Sequence, residues 1–197
     1  MSPVAHTLAS ADRRIDILKS AAAAFRRRGY HGASVDEIAS ALAMTKGNLY
    51  YYFRNKEEIL FACHDYSLDV LLALLHDVQA EATAPDGKLR KLVRAFVHLI
   101  LDELQGTALT LDLHALSPPL LHKVIARRDV FDQGLLAIIQ DGMDQGQFTS
   151  GDPKMVACAV MGTVNGITRW FDPAGPMTPD QIGCAFADYL IGGLGKK

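Results

Sequence analysis

Between Met44 and Lys56 the chain gathers side chains whose chemistry suits the base edges and phosphates of a nucleic-acid duplex. Thr45-Lys46-Gly47-Asn48 is short and polar. Gly47 has no side chain to hold a phosphate away, the Asn48 amide matches a base edge, and Lys46 can reach a guanine or a phosphate. Tyr50, Tyr51 and Tyr52 follow, with hydroxyls for phosphates and rings to pack on sugars. Lys56 opens a further helical segment, where an ammonium and a helix N-terminus together attract anions.

A groove-reading helix needs a bracing helix, a small residue where the two cross, and apolar residues that lock the pair from inside. Ala39 fits the crossing, and Ile38, Met44, Leu49 and Phe53 fit the lock. Charge follows the same division. Residues 1–56 hold nine Lys/Arg against four Asp/Glu, whereas residues 57–197 hold eleven against eighteen. The formal net charge of −2 conceals this polarity. A cationic segment in an otherwise acidic chain is what counterion release from phosphates exploits. Arg26, Arg27 and Arg28 fit two roles, touching phosphates or capping a helix C-terminus.

A second set invites catalytic or metal chemistry. His98, His114 and His122 join Asp102 and Asp112, and His98 and Asp102 stand one helical turn apart. No H-E-x-x-H, G-x-S-x-G or glycine-rich phosphate loop accompanies them, so solvated or core-edge histidines are expected, with no catalytic residue, metal or cofactor. A helical metal-dependent enzyme is the alternative that metal removal would test. Cys63, Cys158 and Cys184 are widely spaced and odd in number, which predicts three small buried hydrophobes rather than a disulfide framework or zinc site.

The elements that position these residues are helical throughout. Ile15, Leu18, Ala22 and Phe25 recur at three and four, predicting a helix over 12–28 that Gly29 closes, after an arm over 1–10. Ser34 and Glu37 form a capping-box pattern before a short helix to about Ala41, with Val35, Ile38 and Leu42 inward. Thr45 caps another short helix, and Asn55 caps a long one over about 56–82, with Glu57 and Glu58 suiting its dipole. Pro85-Asp86-Gly87 reads as a break before a helix over 88–105. A short helix holding Leu109, Leu111 and Leu113 is expected next, then a long amphipathic one over 119–146. Asp152-Pro153 and Thr178-Pro179-Asp180-Gln181 mark two more starts. No period-2 strand, repeat or low-complexity tract occurs. With 49% hydrophobic and 21% charged residues, this predicts an all-α globular chain of about nine helices. It divides into an arm (1–10), a three-helix helix-turn-helix domain (11–56) and a helical ligand-binding and dimerisation domain (57–197). Neither a charged leader nor an unbroken run of about 18 apolar residues is present, predicting a cytoplasmic protein without a membrane partner.

Ser34-Val-Asp-Glu-Ile-Ala, Met44-Thr-Lys-Gly-Asn-Leu-Tyr-Tyr-Tyr-Phe and Asn55-Lys-Glu-Glu, preceded by Ile17-Leu-Lys-Ser-Ala-Ala-Ala-Ala-Phe, resemble the N-terminal pattern of TetR-type regulators over about residues 13–62. The resemblance implies that Thr45, Lys46, Gly47 and Asn48 face bases while Tyr50, Tyr52 and Lys56 hold phosphates. One departure is Ala43, where the family usually has glycine; at positive φ an alanine costs on the order of 1 kcal/mol.

The stretch Asn165-Gly-Ile-Thr-Arg-Trp-Phe-Asp-Pro, with Tyr189-Leu-Ile-Gly-Gly-Leu, is similar to a TetR subgroup controlling fatty-acid and steroid-ring degradation, whose members commonly respond to acyl-CoA thioesters. An acyl chain needs an apolar slot, which Phe96, Leu99, Leu113, Phe131 and Leu135 could line; ordinary core is the other reading of each. Arg169 is the first choice for a CoA phosphate, ahead of Arg127 and Arg128, and Asn165 would contact ligand or bond across a dimer. Ala157, Gly162 and Gly166, with Ile182, Phe186 and Tyr189, suit a four-helix homodimer interface. The expected function is a repressor, dimeric on a palindromic double-stranded DNA operator and released by a small apolar effector, an acyl-CoA among the candidates. An architectural DNA-binding protein without effector is the second alternative.

Overall fold

The computed structural model describes the backbone of residues 3–101 and 111–195, and side chains from residue 12 onward within those segments. Among the described residues there are eight α-helices: α1 (Pro3–Gly32), α2 (Val35–Ser40), α3 (Lys46–Tyr52), α4 (Lys56–Ala80), α5 (Pro85–Leu101), α6 (Pro118–Asp144), α7 (Pro153–Gly166) and α8 (Pro179–Leu194). Single 3-10 turns occur at Leu113–Ala115 and Ile167–Arg169. The one extended pairing among these residues is an isolated antiparallel bridge between Phe148 and Gly195. The all-α expectation therefore holds.

Local side-chain chemistry sets most helix starts. Ser34 Oγ accepts from the Glu37 amide at 3.0 Å, Thr45 Oγ1 from the Asn48 amide at 3.2 Å, and Asn55 Oδ1 from the Glu58 amide at 2.8 Å. Each satisfies an amide left without an intrahelical partner. Asp152 caps α7 ahead of Pro153, and Thr178 with Gln181 completes both halves of a capping box at α8.

Three boundaries differ from expectation. Helix α1 begins at Pro3, since the alanine-rich segment after it has no interior breaker, and Gly29 interrupts it at φ 70°. Pro85 starts α5 instead of breaking the chain before it, because a proline in the first turn forfeits no helical hydrogen bond. The short helix expected around Leu109 falls partly on residues 102–110, outside the described residues, as does Asp102. Within the described part only the Leu113–Ala115 turn remains.

The chain forms two compact units: residues 3–67 with 111–124, and residues 68–101 with 125–195. In the first unit Ile17, Ala21, Ile38, Leu49, Phe53, Ile59, Leu60 and Cys63 are buried, so the first turns of α4 share a core with the three helices before it. In the second, α5 packs on α8, where Gly183 lets the α5 backbone at Arg94 approach to 3.4 Å of an added Cβ. Phe96 and Phe131 meet in this unit with ring centroids 5.6 Å apart.

Helix α4 has the length and composition of a membrane span, 25 residues with a window of mean hydropathy 1.4. Asp65 and Asp69 interrupt its apolar sequence. Its apolar side chains Ile59, Leu60, Leu68, Leu71, Leu75 and Val78 are buried within the two units, the pattern of a core helix. Cys63 is buried as expected, whereas Cys158 is exposed on α7 and Cys184 half-buried.

Candidate nucleic-acid interface

Helices α2 and α3 are joined by a turn that the backbone itself closes: the amides of Leu42 and Met44 both donate to the Ala39 carbonyl at 3.0 Å. Ala39 is fully buried at this crossing, the small residue that the geometry requires. Ala43 sits at φ 52°, the left-handed region, so the turn does need what glycine gives freely. Ser20 Oγ on α1 donates to the Ile38 carbonyl at 3.1 Å and fixes α2 from behind.

On α3, Leu49 points inward while Thr45, Lys46, Gly47, Asn48, Tyr50 and Tyr51 are exposed and Tyr52 is half-exposed. Tyr51 is 81% exposed and meets the Tyr52 ring edge-on at 5.3 Å. A Cβ built on Gly47 finds only Thr45 Oγ1, at 3.8 Å, so the surface there is open for close approach. The structure thus leaves all the residues expected to meet bases exposed at the start of α3, with Tyr50 and Tyr51 exposed after them.

The cations are not all free to act. Lys46 Nζ donates to Asp36 Oδ2 at 2.9 Å, and this hydrogen bond and charge push the lysine pKa up. Lys56 turns inward. Its Nζ donates to the carbonyls of Tyr30 at 2.8 Å and Ala33 at 3.0 Å, and lies 4.4 Å from the Tyr30 ring centroid. Lys56, expected as a phosphate ligand, thus also serves carbonyls at and just beyond the end of α1. Glu37 departs from expectation. Its carboxylate is bonded to Arg27, with Arg28 at 3.5 Å, and not to the Ser34 amide, because guanidinium partners bind a carboxylate more strongly than a neutral N–H does. Arg27 and Arg28 are therefore both engaged by Glu37 at the surface.

The sequence reasoning missed Arg13 and Arg14. Arg14 Nη1 donates to the Tyr52 carbonyl at 3.2 Å, and its guanidinium lies 4.2 Å from the Phe53 ring centroid. Arg13 Nη2 donates to the Leu42 carbonyl at 3.1 Å. The signal was spacing: Arg13 precedes Ile17 and Ala21, and Arg14 precedes Leu18, by the four-residue step of the buried stripe. Charged residues that continue a core stripe point along it, toward the turn and α3.

The residues expected to bind an effector divide. Phe96, Leu99, Phe131 and Leu135 are buried in the second unit. Leu113 is half-buried in the first. Asn165 and Arg169 are exposed, at the end of α7 and in the turn after it. Of the metal-type set, His98 Nε2 lies 2.8 Å from Asp180 Oδ1, and the Asp112 side chain accepts from the His114 backbone amide, so both are accounted for by structural contacts.

Residues 17–63 match the family model for bacterial regulatory proteins of the tetR family, and residues 82–194 match the tetracyclin repressor-like C-terminal domain. The HTH-type transcriptional repressor KstR2 of Mycobacterium tuberculosis (strain ATCC 25618 / H37Rv) is 27% identical over 196 residues, covering 94% of each chain. The solved structure of that ketosteroid transcriptional regulator superposes with a TM-score of 0.87 over 94% of this chain and 96% of its own. PfmR from Thermus thermophilus is 34% identical, with 91% and 99% of the chains covered and a TM-score of 0.82. AibR in complex with isovaleryl coenzyme A and operator DNA is 32% identical, with 91% and 98% covered and a TM-score of 0.80. Two domain matches that together span most of the chain, on an all-helical fold that carries an α2–turn–α3 unit, place this protein in the TetR family of transcriptional regulators.

Proposed function

We propose that this chain is a repressor that binds a palindromic operator as a homodimer and is released by a small apolar effector, an acyl-CoA thioester being the class favoured. The observation that supports the DNA part is the exposure of the start of α3, where Thr45, Lys46, Gly47 and Asn48 are open to solvent, followed by exposed Tyr50 and Tyr51 and half-exposed Tyr52. Thr45 to Asn48 would meet base edges, and the tyrosine hydroxyls would meet phosphates. Lys46 would exchange Asp36 for DNA, and Lys56 would offer a phosphate only the part of its ammonium that α1 leaves free.

The effector reading draws on the second unit and on the relatives. Phe96, Leu99, Phe131 and Leu135 supply the apolar wall against which an acyl chain would pack, and Leu113, in the first unit, is a separate candidate. Arg169 and Asn165 are exposed where a CoA phosphate could be met from solvent. A protein 32% identical over nearly the whole chain has been seen with both isovaleryl coenzyme A and operator DNA. The dimer reading rests on the outward faces of α7 and α8, where Met155 and Tyr189 are exposed and Gly162, Gly166, Gly192 and Gly193 have open space above them.

Thermal melting against free acids, CoA and short to long or steroid-derived acyl-CoA thioesters tests the effector. A ligand at about 100 times its Kd adds about 2.7 kcal/mol to the native state, a rise of roughly 5–10 °C for a chain of this length. A rise with thioesters but not with CoA or free acids supports the reading and ranks chain preference. No rise across the panel removes the acyl-CoA assignment and leaves the DNA-binding assignment to footprinting.

A further inference from the structure

Adjacent arginines on α1 are held differently. Arg14 has its charge spread over the Phe53 ring and its N–H on the Tyr52 carbonyl, a structural clasp on the end of α3. Among the described residues Arg13 is fixed through one nitrogen, Nη2 on the Leu42 carbonyl. The Asp16 carboxylate is 3.9 Å from Nη1, beyond hydrogen-bond distance, and both side chains are substantially exposed.

Arg13 lines a solvent-open cleft of about 520 Å³ completed by Ala43, Met44, Gly47, Asn48, Tyr51 and Tyr52. Among the described residues Arg13 is the only charged one lining it; no carboxylate does. The other polar groups are the Asn48 amide and two phenols, all able to donate. A cleft lined by one cation, an amide, two hydroxyls and a glycine suits an anion, and it shares Gly47 and Asn48 with the residues assigned to bases. We propose that Arg13 is a phosphate ligand of the DNA complex, taking a backbone phosphate of the same duplex that α3 reads. The inference rests on that assignment of α3. The Leu42 carbonyl holds one arm of the guanidinium, so little rotamer freedom remains to be lost on binding, and the planar fork keeps further N–H groups for phosphate oxygens. Arg13 differs from Lys46, hydrogen-bonded to Asp36, and from Lys56, bonded to two carbonyls of the first unit: its own ion pair with Asp16 is long, at 3.9 Å, and it lines an open cleft.

The test is fluorescence anisotropy of a labelled duplex titrated with protein at several KCl concentrations, for the wild type, Arg13→Gln and Arg13→Lys, on an operator-containing fragment and on an unrelated duplex. Each neutralised phosphate contributes about 0.9 to the slope of log K against log salt. Arg13→Gln should lower that slope by about 0.9 and weaken binding to both duplexes by a similar factor, while Arg13→Lys restores the slope. Glutamine keeps a donor for the Leu42 carbonyl, and melting curves place each titration below the variant's Tm. An unchanged slope in Arg13→Gln, even with weaker binding, overturns the proposal and leaves Arg13 as a clamp on the turn. Wild-type protein with no salt-dependent DNA binding would overturn the assignment of α3 beneath it, a result distinct from an altered affinity with intact slope.

Discussion

The ammonium of Lys56 lies 2.8 Å from the carbonyl oxygen of Tyr30 and ties the first residue of α4 to the end of α1. A second bond, to the Ala33 carbonyl, makes one side chain serve two backbone acceptors that no helical amide reaches. Lys56→Ala should therefore destabilise the protein by about 1–2 kcal/mol, the range for a partly exposed charge-assisted pair of bonds. That corresponds to a Tm lower by roughly 2–8 °C. A variant that melts like the wild type but loses about 0.9 of salt slope in DNA titrations would make Lys56 a phosphate ligand first and a clasp second.

Ala43 at φ 52° carries a strain that glycine would not. The left-handed region costs an L-residue about 1–2 kcal/mol, partly offset by the larger backbone entropy that glycine loses on folding. Ala43→Gly should stabilise by about 0.5–1 kcal/mol, with unchanged DNA affinity, whereas Ala43→Val should destabilise because a β-branched residue fits that region worst. Melting temperatures decide it: a glycine variant that melts lower than the wild type would mean the turn relaxes to negative φ in solution.

These residues also mark how far the sequence could be read. Caps at Ser34, Thr45, Asn55, Asp152 and Thr178 were legible because a cap and its amide lie two or three positions apart, and the period of the buried stripes was legible for the same local reason. Positive φ at Ala43 was legible only as a condition, through the glycine that the resembled family usually has there. What escaped was long-range competition. Arg13 reaches a carbonyl 29 positions away and Arg14 one 38 away, and Lys56 spans 26 to Tyr30. Glu37 satisfied its local pattern on paper but took a guanidinium partner ten positions back. Periodicity identified Phe96, Leu99, Phe131 and Leu135 as inward, and they are buried, yet it carries no information on whether an inward side chain faces a neighbour or a ligand. Cys158 was misjudged because composition says that cysteines are usually buried, while its place on the exposed side of α7 depends on where that helix docks.

Glu57 supplies a prediction in pH. Its Oε1 accepts from the Ser117 amide at 2.6 Å, just ahead of the first turn of α6, and hydrogen bonding from the Ser117 side chain first and from this amide second holds the carboxyl below its ordinary value near 4.5. With the folded value depressed, the unfolded chain takes up the proton first as pH falls. The stabilisation is fully present above the unfolded value and is lost as pH drops through the folded one. Glu57→Gln keeps an acceptor oxygen but no charge, so it should melt below the wild type at neutral pH, and the two Tm curves should converge in acid below about pH 4. Curves that stay parallel across that range would show that the carboxylate charge contributes nothing to this contact.

Gly162 tests the dimer. A Cβ built there meets nothing within 4 Å, and Gly166, one turn on, is equally clear, so within the chain a larger residue has room. Replacing a helical glycine with leucine should on its own stabilise α7 by about 0.5–1 kcal/mol. If the partner's helices lie on this face, the added isobutyl group occupies their place. Gly162→Leu should then be monomeric by size-exclusion chromatography with light scattering at concentrations where the wild type is dimeric, with dimerisation weakened about 10–100-fold, and operator affinity should fall with it because half-site spacing is set by the pair. A variant with a higher Tm and an unchanged oligomeric state would move the interface away from α7. Loss of the dimer in Gly162→Leu, with the protomer's helicity intact, would fix it there and explain why small residues stand where nothing in the same chain approaches them.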